Sequence, residues 1–93
     1  MIFEIQYHEA VYKEDIPRLS AFQRARVKKA IEIKLMTQPS LFGKPLRRSL
    51  KGYLKLRVGD YRVIFRPKGS TVKIFAIQHR SVVYKKSLHR LMN

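Results

Sequence analysis

The sequence predicts a two-layer α+β fold in which one face of an antiparallel sheet packs against helices. Residues 53–66 alternate apolar and basic side chains around a two-residue turn, which indicates a half-buried β-hairpin. Residues 20–36 contain apolar side chains at helical spacing, and residues 81–92 begin with a serine that can cap a final helix. A chain of 93 residues is long enough for one domain, which we expect to span residues 1–93.

The N-terminal third predicts one strand followed by two helices. Apolar and polar side chains alternate over residues 2–7, as in a strand, and residues 8–15 predict a short helix that is disturbed near Pro17. Ser20 can cap a longer helix that reaches about Met36. Because this helix has apolar side chains on two sides, it is expected to pack between other elements. One side has Val27, Ala30, Ile31 and Leu35, and the other has Phe22, Ala25, Ile33 and Met36.

The pair Gly59-Asp60 predicts the turn of the central hairpin. A glycine in first place favours a type II′ turn, because that position requires a positive φ. A two-residue turn fixes the register, so that Val58 lies opposite Tyr61 and alternate residues share a face. The predicted core face consists of Leu54, Leu56, Val58, Tyr61, Val63 and Phe65, and the predicted cationic face of Tyr53, Lys55, Arg57, Arg62, Ile64 and Arg66.

A third strand is predicted over residues 71–77, after a turn at residues 67–70. Residues 39–45 contain two prolines and a glycine and predict a loop. The predicted order of elements is therefore β-α-α-β-β-β-α. If Arg66 pairs with Thr71, the core side receives Val72, Ile74 and Ala76, and the cationic side receives Phe75 and Ile77.

Charge is distributed very unevenly along the chain. Residues 1–32 contain six basic and five acidic side chains, whereas residues 33–93 contain fifteen basic side chains and one acid, Asp60. Such a field repels itself and costs stability, so a polyanionic partner is expected. The candidates are a nucleic acid, an acidic protein segment or an anionic membrane.

Several classes of protein are excluded or disfavoured. The chain has no cysteine, which excludes a disulfide framework and a thiolate metal site. No stretch approaches the about 18 apolar residues of a membrane helix, and the first residues lack the features of a signal peptide. We therefore expect a cytoplasmic protein that needs no membrane, cofactor or metal.

The predicted cationic face is the first candidate site. Arg57 opposite Arg62 places like charges across a strand pair, which destabilises a sheet unless a ligand such as phosphate neutralises them. The end of the third strand adds His79, which can exchange protons near neutral pH, and Arg80. Tyr84, one turn into the last helix, can stack on a base or move a proton. Further basic residues follow the loop at residues 39–45, namely Arg47, Arg48 and Lys51.

RNA cleavage without a metal is chemically reasonable for this set. A single acid after residue 32 cannot form the carboxylate cluster that usually holds magnesium in the basic half. The 2′-hydroxyl of ribose is an internal nucleophile beside its own phosphate. A protein then has to align that phosphate, stabilise the charge of the transition state and move two protons.

These residues resemble the RelE/ParE superfamily of toxins from bacterial and archaeal toxin–antitoxin systems. The matching segments are residues 43–46, 53–65 and 77–80, together with Val83 and Tyr84. The resemblance implies a microbial RNase-like (RelE-like) fold and a cognate antitoxin as partner. In the RelE branch it also implies cleavage of mRNA in the A site of the ribosome, and hence inhibition of translation.

The resemblance also implies roles for individual residues. Lys55 and Arg62 would stabilise charge, Arg80 would act as general acid or stabilise the leaving group, and Tyr84 would orient the nucleotide or help as base. Tyr53 stands where some RelE proteins carry a second lysine. The expected RNA contacts are Arg57, Arg66, Arg47, Arg48, Lys51 and His79, and the expected antitoxin contacts are Phe75 and Ile77.

Two alternatives to an endoribonuclease remain open at this level. The ParE branch shares the fold but acts on DNA gyrase and lacks the full set of nuclease residues. Retention of Lys55, Arg62, Arg80 and Tyr84 favours the RelE branch. The other alternative is a basic RNA-binding module without catalysis.

Overall fold

The computed structural model of the chain describes residues 2–46 and 52–92. Within these residues, the chain forms five strands and four helical segments. The strands are β1 (Glu4–Tyr7), β2 (Lys44–Pro45), β3 (Leu54–Val58), β4 (Tyr61–Lys68) and β5 (Thr71–His79). The helical segments are α1 (a π-helical turn, Val11–Asp15, followed by Ile16–Arg18), α2 (Ala21–Ala30, continued in π-helical form over Ile31–Leu35), α3 (Pro39–Phe42) and α4 (Val83–Met92).

The strands form one mixed sheet in the order β1-β5-β4-β3-β2. Strands β3, β4 and β5 are antiparallel neighbours, as predicted, and β2 adds a short antiparallel pairing at the edge of β3. Strand β1, however, runs parallel to β5, with Glu4 opposite Thr71 and Tyr7 opposite Ile74. The α+β class is confirmed, but the prediction of a wholly antiparallel sheet was wrong for β1, whose partner strand lies far away in the sequence.

The hairpin of β3 and β4 has the predicted turn and register. Gly59 has a φ of +61° and Asp60 has no positive φ, which is the pattern of a type II′ turn. Val58 lies opposite Tyr61, and the pairing continues without interruption to Leu54 opposite Phe65. The hairpin therefore separates apolar from basic side chains as the alternation predicted.

The turn between β4 and β5 is tighter than predicted. Strand β4 extends to Lys68, and Gly69-Ser70 forms the turn, with a φ of +60° at Gly69. Arg66 consequently lies opposite Lys73 rather than Thr71. The register moves by two residues, so the side chains at the start of β5 keep their predicted faces.

A β-bulge interrupts the pairing of β4 with β5 further along. Phe65 lies opposite Ile74, whereas the adjacent Ile64 lies opposite Ala76. Phe75 is therefore an extra residue on β5. One extra residue inverts the alternation of a strand for every position that follows it.

The inversion corrects two predictions on β5. Ala76, predicted for the core side, packs on the other face of the sheet. Ile77, predicted for the cationic side and for antitoxin contact, is 3% exposed and belongs to the core beneath α1 and α2. The face predicted for Ile77 was therefore wrong, and little of its side chain is exposed for the predicted antitoxin contact.

Helix α2 packs one of its two apolar sides onto the sheet. Its first turn is capped as predicted, because the hydroxyl of Ser20 accepts a hydrogen bond from the backbone N–H of Gln23 at 3.1 Å. On the other side Phe22 is 69% exposed and Ile33 is 56% exposed, so the predicted packing between two elements was wrong for these residues. The buried side consists of Val27, Ile31 and Leu35.

Residues 39–45, predicted as a loop, contain α3 and β2. A Cβ atom on Gly43, between these two elements, would lie 2.8 Å from the Cβ of Leu54 and would overlap the ring of Phe65. A residue with a side chain therefore cannot pass this close to the sheet. Gly43 in this way lets β2 follow the outer edge of β3.

Helix α4 lies on the opposite face of the sheet from α1 and α2. Its buried Val83 packs against Ile64 and Ala76, which are separated from the main core by the sheet. The prediction that the helices share one face was wrong for α4, which covers part of the predicted cationic face. No helix within the described residues is long and apolar enough to cross a bilayer.

An ion pair between Asp15 and Arg90 binds the backbone of β5 beyond the end of β1. The buried carboxylate of Asp15 accepts hydrogen bonds from the backbone N–H of Ile77 at 2.9 Å and from the side-chain amide of Gln78 at 2.8 Å. Arg90 donates to this carboxylate at 2.8 and 3.1 Å and to the carbonyl oxygen of Phe75 at 2.8 Å. The bond to Asp15 raises the pKa of the Arg90 guanidinium above its usual value. The pair thereby joins α1, β5 and α4.

Candidate functional site

Three pairs of cations lie directly opposite each other on the face of the sheet that α4 partly covers. Like charges in such positions repel and destabilise a sheet. Within the described residues, no Asp or Glu forms an ion pair with any of the six. We call this surface the cationic face; its pairs are Lys44–Lys55, Arg57–Arg62 and Arg66–Lys73. An arrangement of this kind favours a bound anion, which would remove the repulsion.

Lys55 and Tyr84 meet on this face, although 29 residues separate them in the sequence. The ammonium of Lys55 donates a hydrogen bond to the Tyr84 hydroxyl. Lys55 is the second residue of β3, and Tyr84 is held by the packing of its neighbour Val83 on the sheet. The pair couples a fixed positive charge to a hydroxyl group, which is what a proton-transfer site on a cationic surface needs.

The Gly59-Asp60 turn positions two further cations. The guanidinium of Arg62 donates from Nη1 to the carbonyl oxygens of Gly59 and Tyr61, both at 3.0 Å. The backbone N–H of Arg80 donates to the carbonyl oxygen of Asp60 at 2.8 Å. The Arg80 guanidinium lies as far as 3.9 Å from the Asp60 carboxylate and both groups are largely exposed, so this ion pair is weak and does not fix the Arg80 side chain.

An aromatic pair lies at the other end of the cationic face. The ring of Tyr53 packs edge-on against Phe75 with centroids 5.1 Å apart, and the guanidinium of Arg66 lies 5.2 Å from the centre of the Tyr53 ring. Phe75 is half-buried here, so this predicted antitoxin contact keeps a place on the cationic side. Arg66 is exposed above it, as expected for a residue that contacts a ligand.

His79 does not join the other predicted residues. It lies opposite Tyr61, which is on the core side of the hairpin, and the two rings are in edge-on contact with centroids 5.7 Å apart. Its Nδ1 is 2.8 Å from the hydroxyl of Ser81. The structure therefore places His79 on the other face of the sheet from Lys55. Arg80 follows His79 at the end of β5.

Four residues near the site were not predicted from the sequence. Lys73 could have been found, because the predicted alternation of the third strand already gave it the same side as Phe75. Lys44 lies in a segment that was predicted as a loop. Lys34 and Phe42 line a cleft of about 380 Å³ at the edge of β3, and nothing local in the sequence indicates this. The whole lining is Lys34, Phe42, Lys44, Lys55, Leu56, Arg57 and Arg62.

The remaining predicted RNA contacts, Arg47, Arg48 and Lys51, lie outside the described residues. Within residues 2–46 and 52–92, no three His, Asp or Glu side chains gather as ligands of a metal ion would.

Comparison of the sequence with known proteins matches a family model and a curated relative. A family model described as the ParE toxin of the type II toxin–antitoxin system parDE matches residues 6–84. Toxin RelG of Mycobacterium tuberculosis is 39% identical over 54 residues, which are 56% of this chain and 62% of RelG. The match thus spans less than two thirds of that curated relative.

Solved structures of similar fold come from toxin–antitoxin systems. The RelBE2 toxin–antitoxin complex of Mycobacterium tuberculosis has a chain that is 29% identical, with a TM-score of 0.78 over 87% of this chain and 94% of that chain. A RelE toxin variant of E. coli bound to a peptide of its antitoxin is 22% identical, with a TM-score of 0.69 over 94% and 95% of the two chains. A ParDE system of P. aeruginosa is 15% identical, with a TM-score of 0.59 over 84% and 96%. The RelE-like fold and the resemblance found in the sequence are confirmed.

Proposed function

We propose that this chain, which belongs to the ParE toxin family of type II toxin–antitoxin systems, is an endoribonuclease toxin that cleaves mRNA on the ribosome. The observation that supports this most is the hydrogen-bonded pair of Lys55 and Tyr84 on a face of directly opposed cations. A purely protein-binding toxin has no evident need for a hydroxyl held by an ammonium beside Arg57 and Arg62. A nuclease needs both a proton-transfer group and a cluster of positive charge.

The reaction follows from the chemistry of RNA. The ribose 2′-oxygen attacks the adjacent phosphorus and loses its proton, and the bond from phosphorus to the 5′-oxygen breaks as that oxygen gains a proton. The products are a 2′,3′-cyclic phosphate and a 5′-hydroxyl end. Tyr84, polarised by Lys55, would orient the nucleotide and help to remove the first proton. Arg80 would act as general acid for the leaving 5′-oxygen or stabilise its charge.

Positive charge would stabilise the pentacoordinate transition state. Arg62 is fixed to the turn by two hydrogen bonds, so its charge is positioned before substrate arrives. Lys55 and Arg57 lie beside it on the same face and would share the phosphate oxygens. Binding of the phosphate would also relieve the repulsion between Arg57 and Arg62, so substrate affinity and local stability should rise together.

The competing function is inhibition of DNA gyrase, which is the activity that the resemblance to ParE toxins implies. Against it, the chain is more similar to the RelBE2 toxin–antitoxin structure than to the ParDE structure, in both sequence and shape. The two functions require different targets, so a direct assay separates them.

A cognate antitoxin is the proposed physiological partner. The solved relatives include complexes of RelE-type toxins with their antitoxins. A net charge of +15 favours an acidic antitoxin segment, which would neutralise the cationic face and block RNA at the same time. The half-buried Phe75 offers an apolar contact beside those charges.

The test compares both targets with one protein preparation. Purified toxin is added to ribosomes that hold a defined mRNA, to the same mRNA alone, and to gyrase with supercoiled plasmid. We expect cuts in the ribosome-bound mRNA, detected by primer extension, with far slower cleavage of the free mRNA. Intact mRNA together with trapped gyrase–DNA complexes would overturn the proposal and establish the alternative.

A further inference from the structure

A basic cleft lies at the outer edge of β3, next to the residues to which cleavage is assigned. Strand β2 pairs only with Leu54 and Lys55, so within the described residues the edge of β3 beyond Lys55 has no strand partner. The cleft crosses this open edge and connects the cationic face to α2 and α3. Its volume of about 380 Å³ is that of a small ligand site, large enough for one nucleotide unit.

The charges of this cleft are all of one sign. Five of its seven lining residues are Lys or Arg, and none is acidic. Lys44 of β2 lies directly opposite Lys55, and Lys34 approaches from α2. Two of these cations are outside the set assigned to the reaction, so the positive surface continues past the scissile phosphate rather than ending there.

An exposed aromatic ring completes the cleft. Phe42, at the end of α3, is 39% exposed, and the ammonium of Lys34 lies 5.6 Å from the centre of its ring. Single-stranded nucleic acids are bound by positive grooves that follow the backbone and by aromatic rings on which bases stack. The cleft combines both features within the reach of one nucleotide from Lys55 and Arg62.

We infer that this cleft binds the mRNA nucleotide next to the cleaved one. Phe42 stacks on its base, and Lys34 and Lys44 neutralise its phosphate. The inference rests on the proposed function, because it is cleavage at Lys55 and Arg62 that brings a continuous RNA strand to the cleft. An acidic peptide would also neutralise the charges of the lysines, but the exposed ring beside them and the continuity with the reaction site favour RNA.

The experiment uses the full chain and an RNA that cannot be cleaved. A short 2′-O-methyl oligoribonucleotide lacks the nucleophile, so binding is measured without reaction. A fluorescent 2-aminopurine base is placed at each position in turn, because stacking on an aromatic ring quenches it. Dissociation constants are measured by anisotropy over a range of salt concentrations.

Two sets of variants with matched controls locate the contacts. Phe42→Leu keeps an apolar side chain but removes the ring, and Leu41→Ala alters its 69% exposed neighbour as control. The double variant Lys34→Gln/Lys44→Gln removes two charges from the cleft. Lys28→Gln/Lys29→Gln removes the same charge from exposed positions of α2 and serves as its control.

The expected results are specific to the cleft. Phe42→Leu should weaken binding about tenfold and abolish quenching at one base position, whereas Leu41→Ala should do neither. Lys34→Gln/Lys44→Gln should reduce the slope of log affinity against log salt by about 0.7, because the two lysines neutralise one phosphate and each neutralised phosphate of a single strand contributes about 0.7. The lysine control should leave that slope nearly unchanged.

Several results would overturn the inference. These are no binding of the oligonucleotide at low salt, wild-type affinity and quenching in Phe42→Leu, or an equal loss of salt slope in the two lysine variants. A failure of the proposed function has a different signature. If gyrase is trapped and the mRNA stays intact, the proposed cleavage is wrong, but the Phe42-dependent quenching of a bound oligonucleotide would still be observed.

Discussion

Replacement of Arg62 by alanine is expected to slow mRNA cleavage on the ribosome about a hundred- to a thousandfold. The Arg62 guanidinium lies opposite Arg57 and is already fixed by the carbonyl oxygens of Gly59 and Tyr61. It therefore needs no rearrangement when charge develops on the phosphate. The rate is measured in single-turnover reactions with saturating toxin and mRNA-programmed ribosomes, so that weaker ribosome binding does not enter the result.

The matched control for Arg62 is Arg24→Ala. Arg24 is an exposed arginine of α2, so this variant has the same change in net charge as Arg62→Ala but leaves the cationic face intact. Arg62→Lys should fall between wild type and alanine, because lysine keeps the charge but not the planar fork that holds two oxygens. A loss of rate in Arg62→Ala no larger than in the Arg24→Ala control would show that Arg62 takes no part in the reaction.

Replacement of Asp15 by alanine is expected to lower the free energy of unfolding by about 3–5 kcal/mol. The change leaves three donors without their acceptor: the backbone N–H of Ile77, the amide of Gln78 and the guanidinium of Arg90, whose side chain is 10% exposed. For a domain of this size that loss is a large part of the total stability, which is about 5–15 kcal/mol. Urea-induced unfolding, followed by circular dichroism, gives the difference directly.

Glu14 provides the control for Asp15. Its carboxylate is 60% exposed and lies 3.9 Å from the same guanidinium, so Glu14→Ala should cost only about 0–1 kcal/mol. Asp15→Asn keeps one acceptor oxygen and should be less destabilised than Asp15→Ala, which gives a measurable variant if alanine prevents folding. Equal stabilities of the Asp15 and Glu14 variants would contradict the assigned role of the buried pair.

The Asp15 pair also connects stability with the candidate site. Arg90 ties α4 to β5, and α4 carries Tyr84 to Lys55 on the cationic face. A weaker pair should therefore loosen α4 before the sheet itself unfolds. Cleavage by Asp15→Asn should fall at temperatures where its sheet is still intact, and it should recover on cooling.

The hairpin of β3 and β4 could be predicted from the sequence because its information is local. A glycine at the turn selects the turn type, the turn fixes the register, and alternation assigns each side chain to a face. The opposition of Arg57 and Arg62 followed without any knowledge of the remaining chain. The turn at Gly69-Ser70 was placed less well, but its even shift of register preserved the faces of Val72 and Ile74.

The bulge at Phe75 could not be predicted in this way. Its surroundings are built by distant residues: Asp15, which is 62 residues from Ile77, and Arg90 of the last helix. A pattern read along β5 contains no trace of these partners, so continuous pairing was assumed and Ile77 was placed on the wrong face.

Non-local contacts also limit how much of the site could be predicted from the sequence. The resemblance to RelE/ParE toxins assigned Lys55 and Tyr84 to one site, but their direct contact was not predicted, since no spacing rule joins a strand to a helix 29 residues later. Phe42 reaches the edge of β3 because the adjacent Gly43 lets the chain pass close to the sheet, and Lys34 reaches it from α2, which packs on the core. This close approach depends on the packed core, and the sequence pattern gave no sign of it.

The chemical nature of the RNA ends tests the central claim most directly. mRNA cut on the ribosome by the purified toxin is isolated, and the two new ends are identified by mass spectrometry. Attack by the ribose 2′-oxygen predicts a 2′,3′-cyclic phosphate upstream and a 5′-hydroxyl downstream, and no cut where the attacking nucleotide is replaced by its 2′-deoxy form. A 3′-hydroxyl with a 5′-phosphate, or unchanged cutting at the deoxy nucleotide, would contradict the mechanism assigned to Lys55, Arg62, Arg80 and Tyr84.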